Sequence, residues 1–471
     1  MPFAKSDKII IVGAGVYGLS TALAFLESGF TDIHVFDKND YFNQSYSYFK
    51  GCDSASSDMN KIFRASYGDQ VHYQKMALAS RDTFLKWNEM IKKENWEGGE
   101  PVYINSGNIH LTDLKTLPPF EQATLKSMGD EAICVADADA EEKAMKKGLP
   151  KASVDPFLAK ERGLHLQGIV DTTGGIMVAE KMCRWVLTLC QRVGGSSFHP
   201  HFGKKSGEIQ TLLMEYNKTT GGKKCVGIKT KNGEVHFSKT VVVLSGAWTA
   251  QIVPEAGEKV EATGGTVALF KVDDPKHLER FSPNNFPAWT YKVRDGAMGG
   301  LYGFPVNQGY MKIGYRGTKW INPSGNVNSK VKTAYTEDRE TNVPLFGLTL
   351  IKNFVREHLP ELDRISKTRL CWYSDTCDND FLISYCPYYE DNSLFVGCGD
   401  SGHAFMMFGV IGKVIKDTIL GEGDEFLRDL FSWERERVKL NIMNMGDNDA
   451  RALHHLRMAS PKDWIINPAK M

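Results

Sequence analysis

The stretch IIIVGAGVYGLSTALAFLESGFTDIHVFD, residues 9–37, constrains this chain more than any other. Residues 8–12 form an apolar run led by a lysine, the pattern of a parallel strand buried on both faces. Gly13, Gly15 and Gly18 follow at GxGxxG spacing. Leu19, Leu23 and Leu26 then recur at helical spacing and Gly29 supplies a stop, so a helix is expected over about 16–28. A second strand over 33–37 ends in Asp37, at about the twenty-residue spacing of a ribose-binding acid. In such a unit the first glycine makes the tight turn, the second admits a pyrophosphate against backbone, and the third lets helix and strand pack closely. The helix N-terminus then presents partial positive charge to the phosphates. Gly13, Gly15, Val16, Tyr17 and Gly18 are therefore candidate cofactor residues, with Asp37 on the ribose and Lys38 beside it. The acid argues against NADP and does not separate NAD from FAD.

A length of 471 residues allows two or three domains. Lys+Arg and Asp+Glu stand at 57 each, so zero net charge gives no reason to expect nucleic acid or an anionic membrane as partner. No run approaches the ~18 apolar residues of a membrane span. None of the nine cysteines forms a CxxC pair, so no metal site is expected. Their scatter suggests reduced thiols and an intracellular address, and the N-terminus enters its first strand without a leader. The final Ala469-Lys470-Met471 resembles the Ser-Lys-Leu peroxisomal signal, so the expected location is peroxisomal or cytoplasmic.

Further along, residues 130–162 are polar and read as a surface excursion or domain crossing. Residues 171–195 read as another glycine-led helix, and Asn232-Gly233 marks a hairpin. Val241–Leu244 is a strand running into Ser245-Gly246-Ala247-Trp248. Residues 260–320 are strand-rich, 345–366 look helical, and 392–420 return to strand, glycine turn and helix. The chain thus leaves its nucleotide-binding domain for a mainly β domain and comes back. The expected division is 1–85, 155–255 and 365–440 for the nucleotide-binding domain, 86–154 and 256–364 for the β domain, and 441–471 as a tail.

The β-meander before VVVLSGAWT and the second glycine turn, GCGDSGHAF, resemble the glutathione-reductase-type FAD fold in its D-amino-acid-oxidase-like branch. That resemblance implies an α/β Rossmann-like FAD domain with an interleaved, mainly antiparallel β substrate domain. Gly397, Gly399 and Gly402 would let backbone lie against the cofactor, joined by Trp248, Asp400, His403, Ala404 and Met406. A helix starting near Ala404 would point its N-terminus at the flavin pyrimidine.

Three blocks narrow the resemblance: SSDMNKIFR (56–64), RLCWYSDTCDNDFLI (369–383) and GDSGHAFMMFGVIGK (399–413). They are similar to the monomeric sarcosine oxidase and fructosyl amino acid oxidase (amadoriase) group, with the fungal amadoriases the best match over nearly the whole chain. The resemblance implies FAD joined to Cys371 by a thioether, with Ser56 and Ser57 bonding the cofactor. It implies an oxidase that takes a hydride equivalent from a C–N bond and passes electrons to O2. Lys312 would be the fixed charge that assists O2, Lys61 an electrostatic or substrate-facing cation, Tyr302 and Phe304 pocket walls, and Arg64 a structural ion pair.

Two positions depart from the group's pattern. Met406 stands where many relatives carry the lysine that meets the substrate carboxylate. Arg316 stands where amadoriases often carry a glutamate that meets the sugar, and it would take over the carboxylate as a bidentate clamp. Arg451 lies where relatives carry a sugar-contacting arginine. The implied reaction converts a fructosyl amino acid and O2 into glucosone, free amino acid and H2O2. The alternative is a saccharopine, pipecolate or sarcosine type of secondary amine. The group's habit is a monomer. A NAD-dependent dehydrogenase and a non-enzymatic nucleotide-binding regulator are the competing classes; the separated glycine turns and CWYSDT argue against the first, and a pocket strand with both Lys312 and Arg316, costly to keep without a ligand, against the second.

Overall fold

The computed structural model describes residues 3–323, 330–331, 343–438 and 448–466. Much of the expected tail, with Ala469-Lys470-Met471, lies outside the described residues.

The apolar run of residues 9–12 becomes the strand Ile9–Val12, buried at every position. It sits inside a six-stranded sheet ordered Leu382–Tyr385, Leu394–Cys398, Val241–Val243, Ile9–Val12, Ile33–Asp37, Phe198–Phe202. The strands run parallel except Leu382–Tyr385, which closes one edge antiparallel to Leu394–Cys398. Burial on both faces accounts for the near-continuous Val and Ile of the central strands. The helix Val16–Glu27 covers one face, packed between Ala179–Gly194 and Ile411–Leu420. Gly412 makes the second crossing close: a Cβ there would meet the Ser20 carbonyl oxygen at 2.0 Å.

The second sheet has eight strands, ordered Lys367–Asp375, Glu261–Lys271, Tyr310–Trp320, Leu301–Gly303, Ala288–Tyr291, Asn108–Thr112, Gln167–Asp171, Ala132–Cys134. Every pairing is antiparallel but that of Ala288–Tyr291 with Asn108–Thr112. A three-stranded meander, Ile209–Tyr216, Lys223–Thr230 and Val235–Phe237, carries Asn232-Gly233 at its second turn with Gly233 at φ 91°.

Several expectations need correction. Gln167–Asp171 and Lys367–Asp375, expected in the nucleotide-binding domain, pair into the eight-stranded sheet, as backbone hydrogen bonding overrides the order in sequence. The polar stretch 130–162 is no mere crossing: Ala132–Cys134 forms that sheet's edge and Ala140–Lys146 a helix. The helix expected over 345–366 is Leu345–His358, stopped ahead of Pro360. Near Ala404 the chain makes only a short 3-10 turn, Ala404–Met407, and the α-helix starts at Ile411. No helix among the described residues is long and apolar enough to cross a membrane.

Candidate active site

Between the two sheets lies a cavity of about 330 Å³ that runs from the first glycine turn to Cys371. Gly13, Gly15, Val16, Tyr17, Asp37 and Lys38 line one end. Gly13 adopts φ 110° and a Cβ there would sit 2.4 Å from the Leu244 carbonyl oxygen, so only glycine lets these strands close. Gly18 faces the Gly13 carbonyl, where a Cβ would lie at 1.8 Å, so it packs helix on strand and does not line the cavity. The helix Val16–Glu27 begins at Gly15 without a side-chain cap, and the Val16 N–H donates to Ser56 Oγ at 3.1 Å. Its first turn therefore offers N–H groups to the cavity.

Asp37 receives Ala14 N–H at 2.9 Å and Asn39 N–H at 2.9 Å. Burial raises its pKa against those bonds, and no ammonium or guanidinium among the described residues reaches ion-pair distance. A buried acceptor of this kind suits ribose hydroxyl donors. Lys38 lies over the Trp248 ring at 4.2 Å, which makes one wall from two expected residues. The Tyr17 hydroxyl is buried without a hydrogen-bond partner among the described residues. The helix start at the cavity, the bare backbone of Gly15 in its lining and the acceptor at Asp37 fit FAD.

At the other end, Cys371 is 2 % exposed and lines the cavity, with Lys61 Nζ 3.8 Å from its Sγ. Lys61 also pairs with Asp58 at 2.8 Å, Lys312 pairs with the same carboxylate oxygen at 2.9 Å, and Arg369 stands 3.9 Å from the other oxygen. Burial raises the Asp58 carboxyl, yet the three cations outweigh it and hold it far below its usual range. Burial pushes Lys312 down to about 8, against the pull of Asp58 and with the push of Lys61. Lys61 moves the opposite way, because its side chain is 20 % exposed against 3 % for Lys312 and Asp58 more than offsets its burial. Lys312 further donates to the Asn60 carbonyl and sits over Phe304 at 4.2 Å.

The strand Tyr310–Trp320 sets the next contacts. Period two puts Lys312, Gly314 and Arg316 on one face. Gly314 makes room for Tyr302, whose ring would lie 2.1 Å from a Cβ there. The Tyr302 hydroxyl is 3.3 Å from that of Tyr373. Arg316 reaches Gly402, where a Cβ would meet its guanidinium nitrogen at 3.0 Å. Gly402, at φ 80°, donates to Asp400 at 2.8 Å, and burial raises the Asp400 carboxyl to about 6. Asp400, Gly402 and Ala404 line the cavity.

Like Gly18, the expected residues Lys312, Tyr302, Phe304 and Arg316 are not in the cavity's lining, and four further ones fall elsewhere. Ser57 bonds Ser54 Oγ at 2.8 Å and gives its carbonyl to Arg369, so it shapes the loop and leaves the wall to Ser54 and Ser56. His403 lies behind Gly402, between the Tyr67 hydroxyl at 3.1 Å and the Asn379 carbonyl at 2.9 Å, and burial lowers its pKa to about 3. Met406 is buried against the same tyrosine, 3.9 Å from its hydroxyl. Arg451 is 3 % exposed and bonds the Glu261 carboxylate at 3.0 and 3.1 Å, away from the cavity.

Arg64 also differs from expectation. No described carboxylate lies at ion-pair distance; the guanidinium stacks on Tyr67 at 4.3 Å and bonds the Ser66 carbonyl. Burial lowers its pKa, and the charge of Arg316 adds to that shift. Arg294 joins them: burial lowers it to about 10 with the charges of Arg64 and Arg316 against it, and Glu121 stands 3.6 Å away. The sequence reading missed Asp58, Arg369, Tyr373 and Arg294. Only Asp58 carried a local signal, the i,i+3 spacing to Lys61.

Fold and site together define the architecture of a dinucleotide-binding oxidoreductase, with a cavity lined from two sheets. The family model described as FAD dependent oxidoreductase (DAO) matches residues 8–418, and the chain belongs to that family. It is 26 % identical over 447 residues to L-saccharopine oxidase of Schizosaccharomyces pombe, covering 92 % of this chain and 94 % of that one. It is 22 % identical to human peroxisomal sarcosine oxidase over 86 % of this chain and 90 % of that one. Its fold matches the fructosyl peptide oxidase from E. terrenum with a TM-score of 0.75 at 21 % identity, covering 100 % of both chains. The α/β architecture with an interleaved β sheet stands as expected.

Proposed function

We propose that this chain is an FAD-dependent oxidase of secondary-amine amino acids, with the flavin carried on Cys371. One observation carries the reading: Lys61 and Lys312 share Asp58 at the cavity end where Lys61 also meets Cys371. FAD bound there would take two electrons from the substrate C–N bond and pass them to O2. The protein supplies position and charge. Lys61 places a positive charge 3.8 Å from the Cys371 sulfur that would bond the flavin. Lys312 holds a buried positive charge where negative charge develops during oxygen reduction. Cations in the pocket lower the pKa of the substrate amine and favour the neutral form that reacts.

Arg316 has no hydrogen-bonding or ion-pair partner among the described residues and is the fork for a substrate carboxylate. Arg64 and Arg294 stand in its field. This concentration of guanidinium groups favours a substrate rich in carboxylates, so the saccharopine type is the reading the geometry supports best. The curated saccharopine oxidase that aligns over nearly the whole chain points the same way. A fructosyl amino acid is the second reading. It follows from the amadoriase resemblance of residues 56–64 and 369–383, and it would give glucosone, amino acid and H2O2. A peroxisomal address through Ala469-Lys470-Met471 would suit an enzyme that makes peroxide.

The test is anaerobic titration of the holoenzyme, following the flavin band, with saccharopine and with fructosyl-valine. Bleaching by saccharopine, with KM for it raised in Arg316→Ala, is the expected outcome. Bleaching by fructosyl-valine alone transfers the proposal to the second reading. Bleaching by neither, or a KM unmoved by Arg316→Ala, overturns it.

A further inference from the structure

A second cluster of reactive side chains lies on the far side of the six-stranded sheet and plays no part in the cavity. Period two along the strand Ile33–Asp37 puts His34 and Phe36 on one face, with Asp32 just before it on the same face. Along the edge strand Phe198–Phe202 the same period aligns His199 and His201. The parallel register pairs His34 with His199 and Phe36 with His201. Cross-strand neighbours on one face touch, so a carboxylate and two imidazoles converge.

Their geometry suits an ion. His34 Nε2 lies 2.8 Å from Asp32 Oδ1, and His199 Nε2 lies 3.5 Å from the same oxygen. One ligand atom from each of the three falls within 4.8 Å of the others. Tetrahedral zinc with bonds of about 2.0–2.1 Å holds its ligand atoms at comparable separations. The rings of His34 and His199 stack at 4.4 Å, which holds the two imidazoles side by side. The outer nitrogen of His34, Nδ1, is 3.0 Å from His201 Nε2. A ligating histidine is ordinarily oriented by a bond at its second nitrogen. Phe36 stacks on His201 at 4.3 Å and 4°, which fixes that ring in turn.

We propose that Asp32, His34 and His199 form a binding site for a divalent transition-metal ion of the zinc class, with His201 as the positioning residue and water completing the coordination. The nitrogen–oxygen set excludes a preference for calcium or magnesium, which take oxygen ligands throughout. On binding, the imidazole proton of His34 passes from Nε2 to Nδ1 through solvent, water leaves the hydrated ion, and two metal–nitrogen bonds and one metal–oxygen bond form. His34, now the Nδ1–H tautomer, donates to His201 Nε2. Side-chain exposures of 12 % for His34, 32 % for Asp32 and 40 % for His199 leave the ion a way in. Lys8 acts on the cluster and repels added positive charge, so the site must bind by coordination and not by field. The ion would tie the edge strand to the strand that ends in Asp37, and so stiffen the adenosine end of the cavity.

The test is calorimetric titration of chelator-treated, dialysed holoenzyme with Zn2+. The expected result is one saturable ion per chain, lost in His199→Gln and in His34→Gln. His201→Gln keeps all three ligands and should weaken binding about tenfold, the usual effect of removing a bond outside the coordination sphere. Co2+ in place of Zn2+ should give visible d–d bands beyond the flavin envelope, absent in His199→Gln. Because His199 is well exposed and does not line the cavity, oxidase activity and the flavin spectrum of that variant should match the parent. No heat with the parent protein, or zinc binding that survives the double His34→Gln/His199→Gln substitution, would overturn the proposal. The surface pair His454 and His455, whose rings lie 4.0 Å apart, is then the place to look for the surviving ion.

Discussion

At the scale of the residue, Lys312 is the most heavily biased group in the site. It is charged at neutral pH only because Asp58 lies 2.9 Å away, since burial alone drives it towards the neutral form. A cation needed for oxygen reduction should be lost as pH rises through about 8. Oxidation of the reduced flavin by O2 should therefore slow above that pH, while anaerobic reduction by the amine does not share the limb. Lys312→Met should cut the oxygen step by about 10²–10³, the cost of removing one preorganised charge partner, and abolish the limb. Stopped-flow traces of the two half-reactions separate these outcomes, and an oxygen step unchanged in Lys312→Met refutes the role. The stability effect has the opposite sign. The folded ammonium titrates near 8 and the unfolded one near its ordinary 10.5, so between these values the unfolded chain binds the extra proton and stability rises with pH. Lys312 itself was legible through the family resemblance, as the lysine expected to assist O2. Asp58, which makes its charge possible, showed only its i,i+3 spacing to Lys61, because its other partners, Lys312 and Arg369, come from two distant strands. Cys371 adds a separate check: acid precipitation should leave the yellow colour in the parent pellet and release it from Cys371→Ser. Colour released from both proteins would refute the covalent link.

At the scale of the element, the first strand, turn and helix were legible because each constraint is local. The turn needs a positive φ at Gly13, and the close approach at Gly18 leaves no room for a Cβ. Gly18→Ala puts a methyl 1.8 Å from the Gly13 carbonyl, so strand and helix must separate where the dinucleotide phosphates bind. That variant should be isolated without flavin, or not as soluble protein. Gly29→Ala is the matched control. Gly29 has φ 82° but nothing within 4 Å of its Cβ position, so only the left-handed backbone is penalised, by about 1–2 kcal/mol. It should keep its flavin and lose a few degrees of melting temperature. Equal flavin loss in both would show that backbone conformation, and not helix–strand clearance, governs the turn. Elements built on distant pairing were harder to read. The helix expected at Ala404 is a 3-10 turn, because His403 and Met406 are held from behind by Tyr67, a contact across more than three hundred residues of sequence. The candidate metal cluster escaped the sequence for the same reason: no short motif joins His34 to His199, and only the parallel register does.

At the scale of the whole molecule, the two sheets are laced together by one strand. Lys367–Asp375 pairs with Glu261–Lys271 in the eight-stranded sheet, yet it delivers Cys371 to the cavity and ends at Asp375, which receives the fully buried Lys319 at 2.5 and 2.7 Å. The return of the chain to its first domain was visible in the second glycine turn. The point of return was not, since a strand shared in function by two domains has no boundary in composition. Asp375 and Lys319 illustrate what holds that lacing. Burial lowers the Lys319 pKa, and the charge of Asp375 beside it opposes the shift. Removing one partner leaves a charge with no water and no counter-ion, at a cost of about 3–5 kcal/mol. Lys319→Met should therefore lower the apparent melting temperature sharply, and the double Lys319→Met/Asp375→Leu should recover most of the loss, since two apolar side chains cost no uncompensated charge. Arg451 lies one carboxylate further out, on Glu261 in the same strand that pairs with Asp375. Arg451→Met should lower the melting temperature while KM for the amine stays where it was, the reverse of Arg316→Ala, which should raise KM and leave melting nearly unchanged. If Arg451→Met instead raises KM without touching stability, the guanidinium reaches the substrate, and the pairing with Glu261 is not what holds it.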